Sequence, residues 1–337
     1  VSRKIPLKYD SYQLKAIDIF ADLGKYETFK VAQLETSERK LMLKEVHLAS
    51  KYGKKALSKY LAVERDYVDL EIPEVKFDNL EFGFDESRFE LAIVSLNFER
   101  PRAEIYRDKL VDDNLRFKPL YSKLLRELPM TLTIGQVKVS NGDLVYEEKI
   151  ADDQKAGMLT FEEVNAEING ITNRKNAPDT QVVAHAKLMG QADLKLKWDF
   201  NVNNKTDAFN ASGVLQNLQA ERLNPFLVPN LRVRTQGAVE EMYFTLYGNA
   251  ATSKGDMKMK YHDFKFDVLD KDRLKINKFL TTIGTIFVND GSKTDAEGFR
   301  YGTMEVERET NKSFYNYLWL NVRDGMVSTL TGNGKKD

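Results

Sequence analysis

The sequence predicts a mainly β protein with a few short amphipathic helices including a C-terminal one; its strands suit a ball-like sandwich or an elongated, curled antiparallel sheet, and periodicity does not separate the two. Three observations predict it. Apolar and polar residues take turns over long stretches. Met257, Met259 and Tyr261 alternate with Lys258 and Lys260; Leu194, Leu196, Trp198, Phe200 and Val202 alternate with Lys195, Lys197, Asp199 and Asn201. A period of two places every second side chain on the same face of a strand, so one face is apolar and the other charged. Roughly fifteen such runs can be counted, and an isolated sheet that wide curls. Steps of three and four residues occur only in a few short segments.

Residues 1–110 read as an N-terminal β segment. Ile5, Leu7 and Tyr9 begin it, and Leu41 to Leu48 continue it. Lys54 to Leu61 suggests a helical turn. Val68, Leu70 and Ile72 alternate until Pro73, which suits a strand end or an edge. Val75, Phe77, Leu80, Phe82 and Phe84 follow, then Ala92, Val94, Leu96 and Phe98, broken by Pro101. Residues 111–130 form a helical connector: Leu120, Leu124, Leu125 and Leu128 recur at helical spacing between Pro119 and Pro129.

Residues 131–310 are the main sheet region. Leu132, Ile134, Val137 and Val139 lead to Asn141-Gly142, a strong hairpin signal, with Leu144 and Tyr146 on the expected return strand. Further strands are expected at 159–168, 183–188, 194–202, 211–215, 233–246 and 257–268, where Phe264, Phe266 and Val268 resume the pattern beyond a one-residue offset. A helix is expected near 274–288, with Ile276, Phe279, Leu280, Ile283 and Phe287 on one face. Met304 and Val306 mark another strand. Ser313 is a candidate N-cap for a C-terminal helix over 311–331, whose face carries Phe314, Tyr317, Leu318 and Val322. A disordered tail is expected at 332–337.

The 337 residues suffice for a sizeable core. Lys+Arg and Asp+Glu are both 51, so net charge offers no general attraction to nucleic acid. The absence of cysteine excludes disulfides, thiolate metal sites and cysteine nucleophiles. No apolar run reaches the length of a membrane-spanning helix, and no signal peptide is visible. The chain opens at Val1 in residues that read as a strand, so a truncated or processed N-terminus is expected.

Catalytic signatures are absent: there is no HExxH, P-loop, strand-linked GxGxxG or GxSxG. The three histidines, His47, His185 and His262, lie far apart in sequence. Adjacent carboxylates such as Glu147-Glu148 and Glu240-Glu241 point to opposite faces of a strand and make no acid/base pair. Asp290 to Asp295 has the composition of a calcium loop but lacks its closing glutamate. The lysines 195, 197, 258, 260 and 265 read as a solvated outer face. Three Asn-x-Ser/Thr triplets, at Asn204, Asn210 and Asn311, carry meaning only in a secreted eukaryotic chain.

The apolar face has two readings: the closed core of a sandwich or barrel, or a groove left open for an apolar ligand. Side-chain chemistry alone favours the closed core. A series of segments adds a further consideration: Tyr106-Arg107-Asp108-Lys109, Lys118-Pro119-Leu120, Leu132-Thr133-Ile134, Val145-Tyr146-Glu147-Glu148, Phe161 to Ala166, Ile171-Thr172-Asn173, Ala186 to Gly190, Leu223 to Leu227, Met257 to Tyr261 and Ser313 to Trp319. Their order resembles the AsmA-like proteins of Gram-negative envelopes, in the form found in Bacteroidetes, from about residue 100 to the end.

The resemblance implies a relative in style of TamB and of bridge-like lipid-transfer proteins: periplasmic, anchored in the inner membrane by an N-terminal helix absent from this chain, and serving outer-membrane biogenesis. It implies the elongated, trough or groove-like form of the sheet, with an apolar β-groove along which phospholipid or another acyl-chain lipid slides. No catalytic residue, metal or cofactor, and no nucleic acid, belongs to that picture. Candidate groove-lining residues are Leu194, Leu196, Trp198, Phe200, Met242, Phe244, Leu246, Met257, Met259, Tyr261, Phe264 and Phe266. The alternative is a structural scaffold of the envelope, with a closed β core and no lipid.

Overall fold

A computed structural model describes residues 13–269 and 294–332. Strand makes up 58% and helix 15%, and the strands join in one large sheet. The helix expected near 274–288 lies outside the described residues. The first strands are β1 (Gln13–Asp22), β2 (Glu27–Ser37), β3 (Lys40–Ser50), β4 (Tyr67–Asp78), β5 (Glu81–Asp85), β6 (Arg88–Glu99) and β7 (Arg102–Asp108). Helix α1 (Lys54–Tyr60) joins β3 to β4, and α2 (Tyr121–Arg126) joins β7 to β8 (Thr131–Lys149). Then come β9 (Gly157–Thr172), β10 (Thr180–Leu188), β11 (Ala192–Phe200) and β12 (Phe209–Gln219). Helix α3 (Asn224–Leu231) precedes β13 (Val233–Gly248), β14 (Thr252–Val268), β15 (Arg300–Glu307) and α4 (Phe314–Thr331).

The strand order is β1-β2-β3-β4-β6-β8-β9-β10-β11-β12-β13-β14-β15, with β5 on β6 and β7 between β4 and β8. Nearly all neighbours are antiparallel, as local hairpins require. The exception corrects the antiparallel expectation: β6 and β7 both run parallel to β8. β6 and β7 are successive lengths of one interrupted strand, since β4 pairs with β7 through Tyr67–Glu71 and with β6 through Glu74–Asp78. A parallel neighbour needs a crossover, and residues 109–130, with α2, supply it. The same sheet thus runs unbroken through the N-terminal segment and the main sheet region.

Two other local expectations change. Asn141-Gly142 makes no hairpin; it lies inside β8, with Asn141 at φ 52°. The pair supplies the left-handed residue that a turn or a bulge equally needs. Here it makes a bulge: the ladder to β9 slips between Val139 and Leu144, and Asn141 N–H donates to Asn165 Oδ1 at 3.1 Å. Pro73 likewise sits mid-strand in β4, at the gap between its two partners, where no ladder N–H is needed.

The apolar pattern advances by three residues, rather than two, at corresponding levels of neighbouring strands: Leu43 to Val46, Ile72 to Val75, Ile93 to Leu96, Ile134 to Val137 and Ile168 to Ile171. All ten side chains nevertheless share one apolar cluster. Residues three apart on a regular strand face opposite ways. Ladder irregularities between them restore the facing: Glu45 has φ 52° and Gly170 φ 74°. At Gly135 a Cβ would lie 2.7 Å from the Val94 carbonyl oxygen, so only glycine fits. These irregularities cross the sheet from strand to strand.

The C-terminal helix forms as expected. The Ser313 hydroxyl accepts from Asn316 N–H, and Gly332, at φ 71°, ends it in the left-handed conformation. Its long axis packs on β14 and β15.

Candidate functional site

The sheet carries two apolar regions that differ in what covers them. The first is on β11–β15. Cross-strand register aligns Leu196, Gly213, Phe244, Met257 and Gly302 in one row, and Trp198, Ala211, Leu246, Gly255 and Met304 in the next. Large and small residues interleave: a Cβ on Gly213 would lie 2.2 Å from the Phe244 ring. Helix α4 crosses at the glycine end of the first row. A Cβ on Gly302 would lie 2.7 Å from the Gly325 carbonyl oxygen, and a Cβ on Gly325 would lie 2.9 Å from Met257 Cε. At the other end, Trp198 stacks on Phe314, the first residue of α4, with centroids 4.3 Å apart. Helix α2 locks alongside: Ser122 Oγ donates to Asp207 Oδ1 at 2.8 Å, Arg126 pairs with the same carboxylate at 2.7 Å, and Arg126 also donates to the Val202 carbonyl.

This region contains the residues that sequence reasoning selected for a groove. The structure gathers them on one face, as the alternation requires, and seals that face. Phe200, Met242, Phe244, Leu246, Met257, Met259 and Phe264 are buried, Met259 fully at 0% exposure. Leu194, Leu196, Trp198 and Tyr261 pack around them, half-buried. The side chain of Phe266 lies outside the described residues. A helix is seated on the β13–β15 end of the strip, and these residues pack together as a core.

The second region lies on β1–β9 and was not singled out from the sequence. Its floor is Val31, Val46, Ile72, Val75, Ile93, Leu96 and Val137, all below 10% exposure; Ile19, Phe29, Leu43, Phe77 and others flank them half-buried. The described helices make their extended contacts with β8, β9 and β13–β15, and none of them makes one with β1–β6. A single-layer sheet buries such a floor only if it curls and the neighbouring side chains close over it.

An open cavity of about 690 Å³ lies there. It is lined by three consecutive residues from each of four strands, Asp18–Phe20, Lys30–Ala32, Glu45–His47 and Glu71–Pro73. Each triplet is centred on a member of the apolar face: Ile19, Val31, Val46 and Ile72. The ladder sets these four side by side. The opposite face of the same strands carries Lys30, His47, Glu71 and Arg102 in a row. On β1, at the sheet edge, the large apolar residues Leu14, Ile17 and Phe20 are exposed.

A partly buried ion cluster, centred on the buried Glu64, joins the two regions. Glu64, before β4, pairs with Lys109 at 2.7 Å and with Lys312, just before α4, at 3.4 Å; Lys312 also reaches Asp113 at 2.8 Å. Arg107 holds Asp66 through two bonds of 2.7 Å each. Burial alone pushes the Glu64 carboxyl up, but the hydrogen bond and charge of Lys109, with Lys312 and Arg107, outweigh it and hold the carboxyl below the ordinary range. Burial pushes the nearby Tyr106 hydroxyl up to about 12.

The titratable groups show no catalytic grouping among the described residues. His47 bonds Asp69 and His262 bonds Glu240, while no histidine meets a serine or threonine hydroxyl. Adjacent carboxylates part to different partners: Glu147 meets Lys54, and Glu148 accepts from Tyr146. No described helix is long and apolar enough to cross a membrane. No family model and no curated protein sequence matches this chain.

Proposed function

We propose that this chain binds an acyl-chain lipid, such as a phospholipid, on the open apolar face of β1–β9, as part of a periplasmic lipid-transfer path attached to the inner membrane. The single observation that carries the reading is an open cavity of about 690 Å³ on β1–β4, centred on the aliphatic residues Ile19, Val31, Val46 and Ile72, with no described helix in extended contact with β1–β6. Such a face offers uniform hydrocarbon contact and no deep specific pocket, which lets a chain hold and slide. Each shielded methylene contributes about 0.8 kcal/mol, so a sixteen-carbon chain gains on the order of 10 kcal/mol before its ordering is counted. Asp18 and Glu45 line the cavity and supply polar groups for a headgroup. The compartment rests on the AsmA-like resemblance.

A scaffold without lipid is the second reading, favoured by the sealed face under α4. Organic extraction and mass spectrometry of the purified chain separate the two. Bound phospholipid, depleted in Ile19→Glu, supports the groove. A clean extract from correctly folded protein overturns it and leaves the scaffold.

A further inference from the structure

We propose that His47, Asp69 and Glu71 form a binding site for one divalent transition-metal ion of the zinc class, on the charged face of β3 and β4. The inference does not depend on the lipid reading, since the site lies on the face opposite the apolar floor. The ladder builds it. His47 stands directly across from Glu71, and Asp69, two residues along β4, projects on the same side. One donor atom from each of the three lies within 4.8 Å of the others. His47 Nε2 and Asp69 Oδ1 are already 2.8 Å apart, sharing a proton that a metal ion replaces. Metal–ligand bonds of about 2.0–2.2 Å are reached from there by small side-chain movements.

Two further features fit a metal site better than a simple ion pair. The Tyr67 hydroxyl donates to Asp69 Oδ2 at 3.3 Å, holding the carboxylate with its other oxygen toward His47. Such an outer contact orients a ligand. The Glu71 carboxylate, by contrast, makes no hydrogen bond or ion pair among the described residues, although Arg102 stands opposite it in the ladder. Its carboxylate is available as the third ligand. The next acid, Glu104 on β7, is held by Lys54. Lys30 flanks His47 on the other side, and Glu104 stands across from Asp69, so a cation and a further carboxylate both border the site.

The donor set selects the ion. One imidazole and two carboxylates suit zinc or a similar borderline metal, with a fourth position left to water. Calcium and magnesium are hard cations that take all-oxygen shells, in which an imidazole nitrogen is a poor ligand. The ion would staple β3 to β4, beside the cavity that His47 and Glu71 border.

The test is isothermal titration of the untagged full chain, freed of metal by a chelator, with zinc chloride. One ion per chain at micromolar affinity is expected. Glu71→Gln and His47→Ala should each weaken binding at least about tenfold, since even outer-shell losses cost that much. His262→Ala should leave binding unchanged. Glu71 is exposed, so Glu71→Gln keeps the test open should His47→Ala fail to fold. Absence of saturable binding, wild-type affinity in either folded site variant, or loss of binding in His262→Ala overturns the proposal.

Discussion

Exchanging Gly302 for alanine should loosen the C-terminal helix, whereas the same exchange at Gly325, directly opposite, should not. A methyl group on Gly302 would lie 2.4 Å from Thr329 Oγ1, 2.6 Å from Thr329 N and 2.7 Å from the Gly325 carbonyl oxygen. Two of those atoms are backbone and cannot turn aside. Helix α4 would have to retreat by about 1 Å to restore ordinary contact distances. Overpacking of this kind costs about 1–3 kcal/mol. A methyl group on Gly325 instead meets Met304 Cγ at 2.8 Å and Met257 Cε at 2.9 Å. Methionine has rotatable bonds and yields. Alanine is also better than glycine inside a helix by about 1 kcal/mol, which offsets the displacement. Urea unfolding followed by circular dichroism should place Gly302→Ala clearly below wild type and Gly325→Ala within about 1 kcal/mol of it. Equal midpoints for the two variants would show that α4 does not sit against β15 as described.

Other outcomes follow from the buried groups. Glu64→Gln leaves Lys109 and Lys312 without their shared carboxylate and should cost about 3 kcal/mol at neutral pH. Because the folded Glu64 pKa is depressed, its contribution is present above the ordinary value near 4.5 and fades as pH falls through the folded value; the gap between wild type and Glu64→Gln should close in acid denaturation. Met259→Ala should cost about 2–5 kcal/mol in urea. A neutral Met259→Ala that loses bound lipid would return that residue to a lumen. Ser313→Ala removes the acceptor for Asn316 N–H and should cost about 1 kcal/mol, read from the same melts.

Much of the fold was legible because alternation is a direct consequence of strand geometry. Most of the described strands, the connector helix and the Ser313-capped helix announced themselves through period and caps; Lys54–Tyr60 showed only as a helical turn, and α3, with Pro225 and Pro229 in its eight residues, did not show. The offset between Tyr261 and Phe264 also showed in the sequence, and Asp263, at φ 49°, is its structural cause. Parallel pairing of β6 with β8 did not show, since either orientation has the same period. Asn141-Gly142 specified a left-handed backbone without specifying whether a turn or a bulge used it.

The groove residues illustrate a deeper limit. Choosing the clearest alternation chose the best-packed face, because a sealed core tolerates the fewest irregularities. The open face was harder to see: its steps from Leu43 to Val46 and Ile72 to Val75 break the period that reveals a strand. Nothing in a period of two says which strip a helix such as α4 will cover. The His47, Asp69 and Glu71 cluster required register, which only the paired strands supply.

The parallel seam between β6–β7 and β8 carries a kinetic consequence. On either side of it most strands meet their neighbours through short reversals, which close quickly; the connections of β3 to β4, β12 to β13 and β14 to β15 are longer. Joining the two arrays requires residues 109–130 to loop back and place Ile93 beside Ile134. Contacts that close longer loops form later. Truncating Ile134 to valine should therefore accelerate unfolding while leaving the refolding rate nearly unchanged. The seam would then close after the short hairpins on either side of it.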